Sequence, residues 1–317
     1  MIIHPMSSTS ATPSFSLSSP LNGVAPLPHL GVIRAEGADA ANFLHNQLTN
    51  DVLLMKEGQC RLAAFCNAKG RMQASFVVYK RSAEEVLLVC RKDLIAPTVK
   101  RLSMFVLRAK AKLSDATDAY AVWGLSGSAT KSIAGGANTA WAKAENDAET
   151  LVQLYPAGST PRQLCITAAD AAPPEGAPLD LDAWRWGEVM SGVATLSAPV
   201  FEAFVPQMLN YESIGGVSFK KGCYPGQEVV ARSQFRGTLK RRAFVAHSEL
   251  AMEAGQEIFS ADDPEQAVGT VVQAAPNPAG GFDAIISLQL VAQNSLLLIF
   301  GTALHLLPLP YPLLEDI

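Results

Sequence analysis

The chain has 317 residues, with 25 Lys and Arg against 29 Asp and Glu for a formal net charge of −4. Of these residues 49% are hydrophobic and only 17% charged, which excludes a disordered, collagenous or heptad-repeat chain. The length allows about two domains of ordinary size, and the mildly acidic total gives no general pull toward nucleic acid or anionic membrane.

Residues 1–22 read as an unstructured leader. Seven serines fall in the first 20 positions and the first basic residue is Arg34. A secretory signal needs a positive start and an import presequence needs arginines on an amphipathic face, so neither fits, and a cytoplasmic protein is expected. Residues 23–240 then follow an α+β pattern. Leu30–Ala35 is a strand, and Asp39 can cap a helix whose apolar stripe is Ala40, Phe43, Leu44 and Leu48. A hairpin joins Arg61–Cys66 to Arg71–Tyr79 through Asn67-Ala68-Lys69-Gly70. Val86–Arg91 is a further strand. Asp93 starts a helix reaching about Phe105, with Pro97 in its first turn.

Short strands follow at Ala119–Gly124, Leu151–Tyr155 and Gln163–Thr167, and the Pro- and Ala-rich run 171–178 is a surface linker between two subdomains. Leu181–Leu196 reads as an amphipathic helix with Trp186, Val189, Met190 and Val193 on one side. Residues 241–317 form a small all-β domain, alternating from about Ala243 with turns at Asp262-Asp263-Pro264, Asn277-Pro278 and Gly280-Gly281. No charge occurs between Asp283 and Glu315, but polar residues and three prolines interrupt the run, so buried strands explain it better than a membrane helix. No internal repeat is evident.

Five cysteines are too few, too scattered and odd in number for a disulfide framework. Cys66, Cys90 and Cys165 lie in apolar runs and read as core thiols, and a reducing compartment follows. Without a Cys-x-x-Cys, no self-contained zinc or iron–sulfur cage and no tightly bound metal is expected. Cys223 differs. It sits in the glycine-rich run 215–228, where sharp turns with positive φ are expected, near Lys220, Lys221, Arg232 and Arg236. If Gly226 or Gln227 opens a helix, its dipole and these cations favour a thiolate; the competing reading is a tight-turn packing residue.

Other candidates carry weaker signals. His45, His247 and His305 read as structural or surface residues, which leaves a Cys–His hydrolase without a base. Lys240-Arg241-Arg242 is expected as solvated surface rather than an RNA contact. Glu188 is either a carboxylate for the amide-like edge of a heterocycle or an ordinary helix-surface residue.

The run Lys221-Gly222-Cys223-Tyr224-Pro225-Gly226-Gln227-Glu228-Val229-Val230-Ala231-Arg232 resembles the signature of the YgfZ family, folate-binding relatives of the glycine-cleavage T-protein. Gln47–Val52, Ala63–Met72, Phe204–Asn210 and Leu309–Pro312 resemble further family segments in the expected order. The resemblance implies ferredoxin-like α+β modules around a central cavity, closed by a C-terminal β-barrel. It also implies tetrahydrofolate binding and a role in assembling or repairing iron–sulfur clusters of client proteins, including tRNA-modifying enzymes, with no membrane and no direct nucleic-acid partner. Cys223 would be the key residue, held by the Gly222 and Gly226 turns beside Tyr224, kept ionised by Lys221 and Arg232, with Gln227 and Glu228 orienting the loop. By position, Glu188, Phe204 and Gln207 would line the folate cavity. A folate-dependent one-carbon transferase or demethylase is the alternative. Against it, the T-protein's catalytic aspartate follows a turn in the first domain, whereas Gly70-Arg71-Met72-Gln73-Ala74-Ser75 carries no carboxylate here.

Overall fold

The computed structural model describes residues 21–56, 58–133, 139–235 and 239–314. Strand β1 (Gly23–Pro26) opens the described chain and is followed by β2 (Leu30–Glu36), α1 (Ala40–His45), β3 (Cys60–Cys66), β4 (Met72–Lys80), β5 (Glu85–Arg91), α2 (Ile95–Ser103) and β6 (Lys112–Asp115). Five of these strands make an antiparallel sheet in the order β3-β4-β5-β2-β6. The β3–β4 turn has a local cause. Asn67 Oδ1 accepts from the amides of Lys69 and Arg71, and Gly70 takes φ +71°.

A second antiparallel sheet has the order β1-β7-β10-β9-β8, with β7 (Tyr120–Ser126), β8 (Lys143–Glu145), β9 (Glu149–Gln153) and β10 (Arg162–Ala168). Val32, Leu87 and Val89 of the first sheet pack with Val122, Leu164 and Ile166 of the second in one buried layer. Helix α3 (Leu181–Met190) begins where the Asp180 side chain accepts from the Asp182 amide, and its Trp184 packs over β7. Any side chain at Gly124 would lie 2.5 Å from Trp184, so the strand glycine is what admits the indole.

After α4 (Gln227–Phe235) the chain enters a closed six-stranded barrel. Its strands are β11 (Arg241–Ser248), β12 (Glu257–Ser260), β13 (Asp263–Pro276), β14 (Phe282–Gln289), β15 (Leu297–Ile299) and β16 (Thr302–Leu307), in the order β11-β14-β13-β12-β15-β16. Closure removes free edges, and Ile258, Val271, Ile286 and Leu288 fill the interior. The uncharged stretch after Asp283 thus supplies barrel strands, and no helix among the described residues is long and apolar enough to cross a membrane. The barrel is docked on the rest by the Trp186 indole donating to Asp283 Oδ2 at 2.6 Å and by a buried Arg242–Glu212 ion pair.

The architecture is the α+β arrangement with a C-terminal barrel that the resemblance implies, and several details differ from the sequence reading. Asp39 precedes α1, but its carboxylate accepts from the Lys110 amide instead of capping, and α1 stops at His45 with Leu48 buried just beyond it. Helix α3 is six residues shorter than expected at its C-terminus. Gly192, at φ +66°, ends it in a left-handed turn that a side chain would jam against Tyr311. Strands β1, β6 and β8 are too short to leave a periodic signal. The expected leader falls mostly on residues 1–20, outside the described residues, whereas Leu21 packs in the core. Arg242 is buried in its ion pair, so Lys240–Arg242 is not a solvated run.

Candidate functional site

Two places combine special chemistry with unusual geometry. The first is the motif loop ahead of α4. Cys223 is exposed, whereas Cys60, Cys66, Cys90 and Cys165 are all buried. Burial pushes those four thiols up, Cys66 and Cys165 to about 12, so they are protonated and inert at neutral pH. Cys223 alone is free to react.

The loop is pinned from both ends. Lys221 is buried, and its ammonium donates to the carbonyls of His45 and Leu48 at the exit of α1, satisfying acceptors that a helix end leaves open. It also lies 4.6 Å from the Tyr224 ring centroid. Burial pulls the Lys221 amine down to about 8, while Asp51 and Cys223 oppose that shift. Lys221 is thus an anchor with its donors committed to backbone. On the other side, Gly226 adopts φ +80° and backs onto the β3–β4 turn, where a β-carbon would come within 2.5 Å of Asn67 O. Gly222 has no such constraint: the nearest atom to an added β-carbon is His45 Nε2 at 3.9 Å. Only Gly215 and Gly226 of the four glycines take positive φ.

His45 is therefore brought to the motif. Its Nδ1 is 3.1 Å from Asp51 Oδ1, and its Nε2 would lie 3.9 Å from a β-carbon added at Gly222. Gln227 and Glu228 open α4, Arg232 lies exposed one turn later, and Arg236 lies outside the described residues.

The second place is a cavity of about 60 Å³ between the two sheets and α3. Leu62, Val77 and Leu164 form apolar walls, and Trp141 and Tyr155 stand 5.8 Å apart beside it. Trp141 holds a left-handed φ of +71°, uncommon for a bulky residue, with its indole donating to Ile214 O. The polar group is centred on Glu188. Its Oε1 accepts from Trp184 Nε1 at 3.0 Å and lies 3.3 Å from His29 Nε2, while Oε2 accepts from Gln273 of the barrel at 3.1 Å. Burial would raise this carboxyl, but the His29 hydrogen bond and charge, with Arg162 and Trp184, hold it below the usual carboxylate range.

Arg162 also lines the cavity, 2% exposed, with its guanidinium 4.3 Å over the Trp184 ring. Burial lowers it to about 10, against the pull of Glu188, so it is charged at neutral pH. Arg162 Nε and His29 Nδ1 have no hydrogen-bond partner among the described residues. The Arg162 guanidinium is the cationic donor on the cavity wall, beside the Glu188 carboxylate. With roughly four lone-pair sites on a carboxylate, Glu188 retains room for one more donor. The pair can thus meet a flat ring presenting an N–H beside a carbonyl oxygen.

Of the expected cavity residues, only Glu188 lies there. Phe204 is packed in the main core, and its carbonyl accepts from the Met72 amide. Gln207 is fully buried and donates to Val230 O at 2.6 Å, which ties down α4 instead of facing a ligand. Nothing in the residue pattern singles out His29. Arg162 does carry a signal: a charged residue opening a strand whose next five residues are all buried. Among the described residues no group of three His, Cys, Asp or Glu could hold a metal ion.

The GCVT N-terminal domain family matches residues 22–148. The "tRNA-modifying protein YgfZ" of Edwardsiella ictaluri is 32% identical over 302 residues, covering 88% of this chain and 89% of that protein. The protein of the same name from Colwellia psychrerythraea is 31% identical over 75% of this chain and 74% of its own length. The crystal structure of glycine cleavage system aminomethyltransferase T from Bartonella henselae superposes with a TM-score of 0.64, covering 91% of this chain and 86% of that one. At 14% identity that likeness concerns the fold.

Proposed function

The chain belongs to the YgfZ family, and on that footing we propose that it is a folate-binding accessory factor for iron–sulfur cluster assembly or repair in cytoplasmic client enzymes, tRNA-modifying ones among them. The observation that carries this reading is the segregation of the thiols. Four cysteines are buried and protonated, and the fifth, Cys223, is presented to solvent on a loop clamped by Lys221 and Gly226. One exposed thiol suits transient contact with iron, a cluster or a client ligand, whereas a resident cluster takes about four ligands.

Tetrahydrofolate is the ligand we assign to the polar pair in the cavity. The N–H beside the ring carbonyl of its pterin would donate to the remaining site on Glu188, and the carbonyl oxygen would accept from the Arg162 guanidinium. Its two rings exceed the present cavity, so binding would have to enlarge it. One-carbon transfer is disfavoured, because moving the proton at a folate nitrogen needs an acidic group nearby. The corresponding strand offers Ser75 at the cavity, its hydroxyl already accepting from the Leu196 amide, and Gln73 away from it.

The test is Cys223→Ala in cells, read as the level of tRNA modifications made by iron–sulfur enzymes. The account expects a fall toward the level of a strain lacking the protein. Wild-type levels with Cys223→Ala would remove the thiol from the function.

A further inference from the structure

A second surface, unconnected with the thiol or the folate cavity, has the composition of a docking site. A groove of about 290 Å³ lies between α2 and the turn carrying Phe201. Phe65, Pro97, Met104 and Phe201 give it apolar walls, and Lys100 and Arg101 stand among its lining residues. Gln73 is 8% exposed and lines it as well. Its Nε2 donates to Glu202 Oε1 at 2.7 Å, which fixes the orientation of the amide and leaves Oε1 buried without a partner among the described residues.

The surroundings are distinctive in two further ways. Residues 94–114 hold five cations, Lys100, Arg101, Arg108, Lys110 and Lys112, and no acidic residue, in a chain of net charge −4. None of the five makes an ion pair among the described residues. Met104 is 58% exposed, Leu107 85% and Phe201 42%, while Arg101 lies 5.3 Å over the Phe105 ring. Large apolar side chains left in water beside a cluster of cations mark an interaction surface.

We propose that this groove docks a protein segment that presents apolar side chains flanked by Asp and Glu. An apolar anchor would enter between Met104 and Phe201, and flanking carboxylates would meet Lys100 and Arg101. Phosphate would satisfy the cations equally well, but the exposed aliphatic Met104 and Leu107 gain nothing from a base or a ribose. Met, Phe and Arg together are the residues enriched at protein interfaces.

Fluorescence anisotropy on the full chain tests this with three labelled probes: a 15-residue peptide of Leu, Phe, Asp and Glu, the same peptide with Lys replacing the acids, and a 15-nucleotide single-stranded RNA. The acidic peptide should bind saturably, at least tenfold tighter than the other two. Met104→Glu and Arg101→Glu should each weaken it at least tenfold, with melting temperature unchanged, and Cys223→Ala should leave it alone. Absence of acidic-peptide binding, binding indifferent to Met104→Glu, or tighter binding of the RNA at this groove each overturns the proposal.

Discussion

The Nζ of Lys221 lies 2.8 Å from the carbonyl oxygen of Leu48, 173 residues away in sequence, and donates to the carbonyl of His45 as well. The motif loop is therefore fastened to the end of the first helix, not suspended from its own termini. Replacing Lys221 with Met keeps the bulk and removes both bonds, leaving two carbonyls unsatisfied. The expected cost is about 1–3 kcal/mol in a urea melt. An unchanged midpoint would show that water replaces the ammonium without penalty.

The glycines on either side of Cys223, Gly222 and Gly226, should respond unequally to alanine. At Gly226 an added methyl meets Asn67 O at 2.5 Å and the backbone is left-handed, so Gly226→Ala should destabilise by about 1–3 kcal/mol. At Gly222 the nearest atom is 3.9 Å away, and Gly222→Ala should stay within about 0.5 kcal/mol. Equal losses in paired thermal melts would contradict this account of the loop.

Thiol exposure predicts a labelling stoichiometry and a pH dependence. Native protein at pH 7 should take up one equivalent of iodoacetamide, at Cys223, and denatured protein five. The buried thiols are raised in the folded state relative to the unfolded chain, where a cysteine ionises near about 8.5. Their contribution to stability is full below that pH and is lost as pH rises toward about 12, because the unfolded state releases protons first. Lys221, lowered to about 8, acts in the opposite direction up to the ordinary lysine value of about 10.4. Four thiols outweigh one amine, so the urea midpoint should be level to about pH 8.5 and fall by pH 10.5. A midpoint that rises over that interval would show that the thiols are not protected.

At the cavity, Glu188→Gln and Arg162→Met should each weaken tetrahydrofolate binding by about 10- to 100-fold in calorimetry, as expected for hydrogen bonds to charged groups. His29→Gln should weaken it less, because His29 reaches the ligand only through the Glu188 carboxylate. Full affinity in the Arg162 variant would place the pterin elsewhere.

How much of this was readable beforehand depends on the range over which each feature is determined. The hairpin at Asn67–Gly70, the helix opening at Gln227 and the barrel strands rest on turn chemistry and alternation, which are local, and the sequence carries them plainly. The end of α3 was also local, but the left-handed stop at Gly192 is masked by the apolar residues that continue past it. The exposure of Cys223 follows from its glycine-rich setting. The clamp on its neighbour does not, since a lysine reads as solvated until a helix end from the other end of the chain is placed beside it. Likewise His29 and Glu188 lie 159 residues apart, and only the packing of β1–β2 against α3 unites them. Phe204 and Gln207 look available in sequence, yet the core absorbs one and α4 the other.

The measurement closest to the centre of the account is iron bound per polypeptide of a client iron–sulfur enzyme, isolated from cells after a peroxide challenge. Cells carrying Cys223→Ala should yield client protein depleted in iron to the level seen without this chain, while cells carrying Cys165→Ala, a buried thiol away from the cavity, should retain wild-type content. Equal iron content in the Cys223→Ala and wild-type strains would contradict the assignment of that thiol to cluster maintenance.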